Sequence, residues 1–198
     1  MISIRNKVYI PLKNCINSIE FLTFNNLPDK KEHIALCFGN WRQIEIPLVR
    51  IHSECLTGDL FYSLLCDCGE QLHESINLLD KNGGILLYMR QEGRGIGLYN
   101  KLDAYHLQKE QGYDTYKANA HLGFPEENRN FKIAADILKQ INVTNIKLIT
   151  NNPEKVKQLK DNDIEIKETI QTQTYVNQHN IKYLTAKKNI TKHRLNLD

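Results

Sequence analysis

Three of the chain's five cysteines, Cys55, Cys66 and Cys68, fall within fourteen residues, and any fold of this chain has to account for that cluster. One account is packing. A thiol in a core is a small hydrophobe, and two cysteines two positions apart on a strand face the same way. The other is metal, because thiolates are soft ligands that suit Zn²⁺. Structural zinc sites close with four protein ligands, whereas catalytic ones keep three and leave a position for water. The local count is three, with His52 and His73 at hand as a fourth ligand that would close the site. An odd number of cysteines, with no apolar signal core in Met1 to Lys7, argues against a disulfide framework and implies a cytoplasmic protein.

The chain has 198 residues, for which one domain spanning 1–198 is the expectation. Charged residues make up 25% and hydrophobic ones 41%, values of a globular protein rather than a disordered one. A net charge of +3 is too small to imply a nucleic-acid partner. No apolar run approaches the roughly 20 residues of a membrane span.

Residues 1–31 are weakly patterned. Beyond them, short apolar runs at His33 to Phe38, Ile46 to His52, Ile85 to Met89, Ile146 to Thr150 and Ile164 to Ile166 read as strands. Leu72, Ile76 and Leu79 recur at helical spacing until Gly83-Gly84 ends the pattern. Leu98, Leu102 and Tyr105 suggest a second helix, and Phe131, Ala134, Ala135 and Leu138 a third. Asn152-Pro153 offers a cap followed by proline at the first helical position. This alternation predicts a single mixed α/β domain. The basic tail, about 187–198 with Lys187, Lys188, Lys192, His193 and Arg194, reads as a solvated, partly frayed end.

Gln91 to Gly97 (QEGRGIG) follows a buried strand and precedes a helix, where backbone N–H groups can meet phosphate. No Gly-Lys-Ser/Thr follows, so it is not a P-loop. Arg50, Arg90, Arg94 and Arg129 lie beside apolar segments rather than in charge runs, and guanidinium forks match phosphate bidentately. Lys155 sits in the first turn of an expected helix, against the helix dipole, which an anionic partner would explain.

Taken in order, VRIHSECLTGDLFYSLLCDCG (Val49 to Gly69), YMRQEGRGIGL (Tyr88 to Leu98), GYDTYKAN (Gly112 to Asn119), LGF (Leu122 to Phe124) and LITNNPEKV (Leu148 to Val156) resemble the motifs of the GTP cyclohydrolase II family. The resemblance covers about residues 33–165, and several long motifs in order are far more specific than any one. It implies the family's α/β fold, a homodimer, and one Zn²⁺ per subunit held by Cys55, Cys66 and Cys68. It places GTP contacts at Arg50, Ile51, His52, Ser53 and Glu54, and at Gln71. Further contacts fall at Glu92, Gly93 and Arg94, and at Thr115, Thr150 and Lys155. Glu127 stands at the proton acceptor, where the family usually has aspartate. Arg129 stands at the proposed nucleophile and Tyr105 beside the reacting ring.

The implied reaction is zinc-assisted hydrolysis at C8 of GTP with opening of the imidazole ring. It gives 2,5-diamino-6-(5-phosphoribosylamino)pyrimidin-4(3H)-one, formate and pyrophosphate, the first step of riboflavin biosynthesis, with Mg²⁺ on the GTP phosphates. Glu92 and Gln71 could read the guanine edge, and Arg129 could act covalently or as an electrostatic clamp. No nucleic-acid or membrane partner is expected. Two other readings remain: a paralogue that stops at the formamide or serves a specialised pathway, and a non-catalytic zinc-stabilised nucleotide- or nucleic-acid-binding protein.

Overall fold

The computed structural model describes residues 1–125 and 127–197. In chain order its strands are β1 (Ser3–Pro11), β2 (Ser18–Asn25), β3 (Ile34–Phe38), β4 (Leu48–Ser53), β5 (Gly84–Met89), β6 (Asn145–Ile149) and β7 (Glu165–Ile170). Its helices are α1 (Leu56–Asp59), α2 (Cys68–Asn82), α3 (Leu98–Gln111), α4 (Thr115–His121), α5 (Lys132–Gln140), α6 (Pro153–Lys160) and α7 (Ile181–Ile190). The fold is mixed α/β, as the alternation of patterns predicts. The described residues gather into two compact units.

The first unit comprises Met1–His52, Leu72–Arg90 and Asn130–Thr172 and holds a sheet of order β1-β2-β3-β5-β4-β6-β7. β1 to β3 and β5 pair antiparallel, while β4, β6 and β7 run parallel. Successive strand residues point to opposite faces, and here the two faces feed two cores. Ala35 and Cys37, with Ile85, Leu87 and Met89, join the cluster built with α5. Their neighbours Leu36, Phe38 and Leu86 join the one containing Leu79, with Leu72 and Ile76 of α2 packed against it. α5 buries Ile133, Ala134, Ala135, Ile137 and Leu138. Gly83, at φ +75, ends α2 by donating its N–H to the Leu79 carbonyl at 2.8 Å, a left-handed cap that suits glycine. α6 starts as expected, with the Asn152 side chain accepting from the Glu154 N–H at 2.8 Å and proline following.

The weakly patterned N-terminus forms β1 and β2, a long antiparallel pair from Ser3↔Asn25 to Pro11↔Ser18. β1 is exposed along almost its whole length. It therefore carries no apolar alternation for a sequence reading to detect.

The second unit comprises Ser53–Gln71, Gln91–Arg129 and the chain from Gln173 onward, with α1, the first turn of α2, α3, α4 and α7. The basic tail is not a frayed end. Ile181–Ile190 is helical, Leu184 is fully buried, and the Lys187 ammonium lies 3.7 Å from the Asp67 carboxylate. Thr191 Oγ1 sits 2.9 Å from the Tyr116 hydroxyl and donates to the Lys187 carbonyl at 2.9 Å. The helix buries one leucine and is otherwise held by polar contacts, so it shows no apolar stripe. α3 also departs from expectation in its face. Leu102 is exposed, whereas Lys101 and Ala104 are buried, because Lys101 has partners inside the unit.

Candidate active site

Cys55 lies just before α1, Cys66 in the loop after it, and Cys68 opens α2. Their three sulfurs lie within 4.8 Å of one another, with no fourth histidine, cysteine or carboxylate in the group among the described residues. Cys55 and Cys66 Sγ are 3.7 Å apart. The Cys55 backbone N–H donates to Asp59 Oδ2 at 3.0 Å, which fixes the turn into α1. Gly58 faces the sulfurs. A Cβ there would come within 2.8 Å of Cys66 Sγ and 3.2 Å of Cys55 Sγ, so glycine keeps the cradle open.

The electrostatics match a cation site. Hydrogen bonds from the Cys66 and Cys68 thiols, aided by the Lys101 charge, hold the Cys55 thiol well below its ordinary range. The Cys55 thiolate in turn pushes Cys66 up to about 12 and raises Cys68. Cys55 is thus the thiol that ionises most readily, and ionising its two neighbours as well is favoured by a positive ion among the sulfurs. A tri-thiolate set with an open position suits zinc of the catalytic type.

Lys101 is the residue the sequence reading missed. Its ammonium donates to Glu92 Oε1 and Thr57 Oγ1 at 2.9 Å each and to Cys55 Sγ at 3.1 Å. Burial works to lower its pKa, but the Cys55 thiolate, Tyr105 and Glu92 overcome that and raise it. A charged residue on a helix face beside a glycine loop was the available signal. The Tyr105 ring centre lies 5.6 Å from the ammonium, and burial raises the phenol's pKa despite that charge.

Glu92 is buried with both oxygens engaged. Oε2 accepts from the Leu56 N–H at 2.6 Å, and Oε1 accepts from the Gly93 N–H at 2.9 Å as well as from Lys101. It thereby ties the glycine loop to the segment after Cys55. Arg94 adopts φ +62, a strained left-handed conformation for a non-glycine residue. Its guanidinium lies over the Tyr116 ring at 4.1 Å. Both Nη atoms are buried with no hydrogen-bond partner among the described residues. Gln71 Nε2 donates to Asp67 Oδ2 at 2.7 Å. Thr115 stands in the first turn of α4, whose cap is Asp114. Glu54 is half-buried.

Glu127 and Arg129 form a fork. Arg129 Nε donates to Glu127 Oε1 at 2.7 Å, Nη2 bonds Oε2, and the Arg129 backbone N–H reaches Oε1 at 2.9 Å. Nη1 lies 3.5 Å from Ser53 Oγ. Burial alone would raise the Glu127 pKa, but the guanidinium outweighs it and holds it low. Burial alone would lower the Arg129 pKa, and the carboxylate reverses it. The extra methylene of glutamate does not prevent pairing.

In the first unit another set of candidates assembles. Arg50 Nη1 donates to the Ile149 carbonyl at 3.2 Å, and the His52 ring stacks on Tyr88 at 5.6 Å. Lys155 Nζ donates to the Ile51 carbonyl at 2.6 Å and lies 5.4 Å from the Phe131 ring centre. Thr150 Oγ1 accepts from the Asn152 N–H at 3.0 Å. A backbone carbonyl therefore stabilises the lysine that the helix dipole disfavours.

The model of the family described as GTP cyclohydrolase II matches residues 6–171. The chain belongs to the GTP cyclohydrolase II family. The match starts at residue 6, so the family relationship reaches well into the N-terminal region that the motifs of residues 33–165 leave out. A protein named GTP cyclohydrolase-2 from Aliivibrio fischeri (strain MJ11) is 54% identical over 180 residues, covering 90% of this chain and 89% of that protein. The protein of the same name from Vibrio cholerae serotype O1 is 52% identical over 179 residues, 90% of each. The riboflavin biosynthesis protein RibBA of Bacillus cereus (strain ATCC 10987 / NRS 248) is 47% identical over 98% of this chain but only 49% of its own length. No helix among the described residues is long and apolar enough to cross a membrane.

Proposed function

We propose that this member of the GTP cyclohydrolase II family is a zinc-dependent hydrolase of GTP. It opens the imidazole ring and releases 2,5-diamino-6-(5-phosphoribosylamino)pyrimidin-4(3H)-one, formate and pyrophosphate, at the entry to riboflavin biosynthesis. The observation that carries the reading is the convergence of Cys55, Cys66 and Cys68 on a space that Gly58 leaves open.

Cys55, Cys66 and Cys68 would hold Zn²⁺, which when bound would supply Lewis acidity and lower the pKa of a bound water toward neutrality. The Lys101 ammonium, beside Cys55 and Glu92, would supply a fixed positive charge to oppose the negative charge that builds on the ring nitrogen and oxygen as water adds at C8. Tyr105, next to that ammonium, is a neutral phenol that can donate to a reacting nitrogen or oxygen. The Arg94 Nη atoms, buried without acceptors among the described residues, suit a phosphate oxygen pair, with Mg²⁺ on the β and γ phosphates.

Arg129 acts as an electrostatic clamp in this reading. Covalent attack requires a deprotonated guanidinium, and the Glu127 fork holds the proton on more tightly than usual. Gln71, oriented by Asp67, reads the guanine edge. Glu92 has its oxygens committed internally, so its first role is to fix the glycine loop. The contacts proposed for Arg50, Ile51, His52, Ser53, Glu54, Gly93, Thr115, Thr150 and Lys155 rest on the family motifs. A homodimer is the expected assembly.

The test is incubation of the purified protein with GTP, Zn²⁺ and Mg²⁺, with products followed by mass spectrometry and Cys66→Ser as control. Formate and pyrophosphate from the wild type alone support the reading. A product that keeps the C8 carbon as formamide replaces it with the diverged paralogue. Zinc bound without any turnover overturns it in favour of a binding protein.

A further inference from the structure

The Asp67 carboxylate stands between two metal-ligand candidates and is completely buried. One oxygen, Oδ2, accepts from the Gln71 carboxamide at 2.7 Å. The other, Oδ1, has no hydrogen-bond donor among the described residues. The opposite charge that faces it comes from more than a hundred residues away in sequence: the Lys187 ammonium on α7, 3.7 Å from Oδ1. Lys187 is itself mostly enclosed, with a side chain 14% exposed, and its Nζ lies 5.3 Å from the Tyr183 ring centre. The Arg94 guanidinium lies 5.7 Å from the same ring, so one aromatic side chain serves two cations. α7 is held in place independently of this pair, through buried Leu184 and through the hydrogen bond between the Thr191 and Tyr116 hydroxyls.

A buried side chain with a single hydrogen bond is held in one orientation by a partner fixed on its other side. We propose that Lys187 is a positioning residue. It locks Asp67, and through Asp67 it sets both the Gln71 carboxamide and the Cys66–Cys68 turn. The C-terminal helix then completes the site, and a lysine in a tail that reads as solvated surface is part of the machinery. This inference rests on the zinc-and-GTP reading for the roles of the cysteines and Gln71.

The experiment uses the full-length, zinc-loaded protein and four forms: wild type, Lys187→Met, Asp67→Asn and the double variant. Two quantities are read, the rate of zinc release to a chromogenic chelator and the KM and kcat for GTP. Groups that orient metal ligands typically change affinity or activity about 10–100-fold when removed. Lys187→Met is therefore expected to speed zinc release and raise KM by about tenfold or more, with kcat falling less. Lys187→Arg, which keeps the charge, is expected to recover most of both. Because Lys187 acts through Asp67, the double variant is expected to be no worse than the poorer single one. Lys187→Met within twofold of wild type in both readouts overturns the proposal, as does a double variant whose losses multiply. If Lys187→Met does not fold, Lys187→Gln carries the same cycle. Zinc-loaded wild type that fails to turn over GTP counts against the functional reading alone, since zinc release still decides the coupling between Lys187 and Asp67.

Discussion

A lysine with three internal acceptors and almost no exposed surface is costly to bury, and position 101 holds one. Desolvating an ammonium is repaid only when excellent partners remain in place, and Glu92, Thr57 and the Cys55 thiolate provide them. Lys101→Met keeps the side-chain volume but leaves the Glu92 carboxylate without its counter-charge. The expected outcome is a loss of about 3 kcal/mol in urea unfolding, with turnover of GTP falling by more than stability accounts for. An unchanged urea midpoint would show that the pair contributes nothing. Gly58 makes the complementary case for space. An alanine methyl would meet Cys66 Sγ at 2.8 Å and Cys68 Cβ at 3.2 Å, and neither cysteine can retreat without spreading the three sulfurs apart. Gly58→Ala is expected to weaken zinc binding by about tenfold or more, measured by competition with a chelating dye. Equal affinity would mean that the sulfurs do not close on the metal there.

Among the elements, β2 carries a third buried carboxylate, Glu20, with a different purpose from Glu92 and Asp67. Glu20 accepts from Arg42 Nη1 and Nη2 at 2.7 and 3.0 Å and from Trp41 Nε1 at 3.0 Å. Burial pushes its pKa up, but these bonds overcome that and hold it below the ordinary 4.5. A carboxylate depressed on folding contributes stability above its unfolded pKa, and that contribution is lost as pH falls through the folded value. Stability is therefore expected to decline below about pH 4.5, and Glu20→Gln to flatten that acid limb while lowering stability at neutral pH. Thermal unfolding across pH 3–7 tests this, and identical acid limbs would remove Glu20 from the account.

The same scale shows what the sequence made legible. Elements with a periodic apolar face, such as α5, or with a continuous apolar run, such as the strand Gly84–Met89, were visible, as was the Asn152-Pro153 start of α6. β1 escaped because its side chains are exposed on both faces, and α7 because polar bonds and one leucine hold it. On α3 the pattern gave the helix but not its inner face, since a charged residue lies where an apolar one was expected. The site reads the same way. Cysteine spacing singled out a trio that the structure brings together as candidate metal ligands, whereas Lys101 and Lys187 look like any surface lysine until their acceptors, distant in sequence, are brought beside them.

For the whole molecule, the proposed zinc ligands all lie within residues 53–71, in the second unit, while the sheet, apart from Ser53 at the end of β4, lies in the first. A ligand that binds only the folded state adds about 2.7 kcal/mol at a hundredfold excess over its Kd. For a chain of this length that corresponds to roughly 5–10 °C in Tm, so chelation is expected to lower Tm by that order. Its footprint should be uneven, because proteins open in local cooperative units rather than uniformly. Without metal, the three sulfurs would lack the cross-link that zinc would make between the Cys55 turn and the start of α2. Hydrogen exchange followed by mass spectrometry, with and without chelator, should show faster exchange in α1, in the loop around Cys66 and at the first turn of α2. β3 and β5, enclosed between the two cores, should hold their protection. Faster exchange spread equally over the sheet would mean that metal stabilises the chain as one cooperative whole. No change anywhere, with zinc shown to leave, would mean that the cysteine trio folds unaided and that the metal serves chemistry alone.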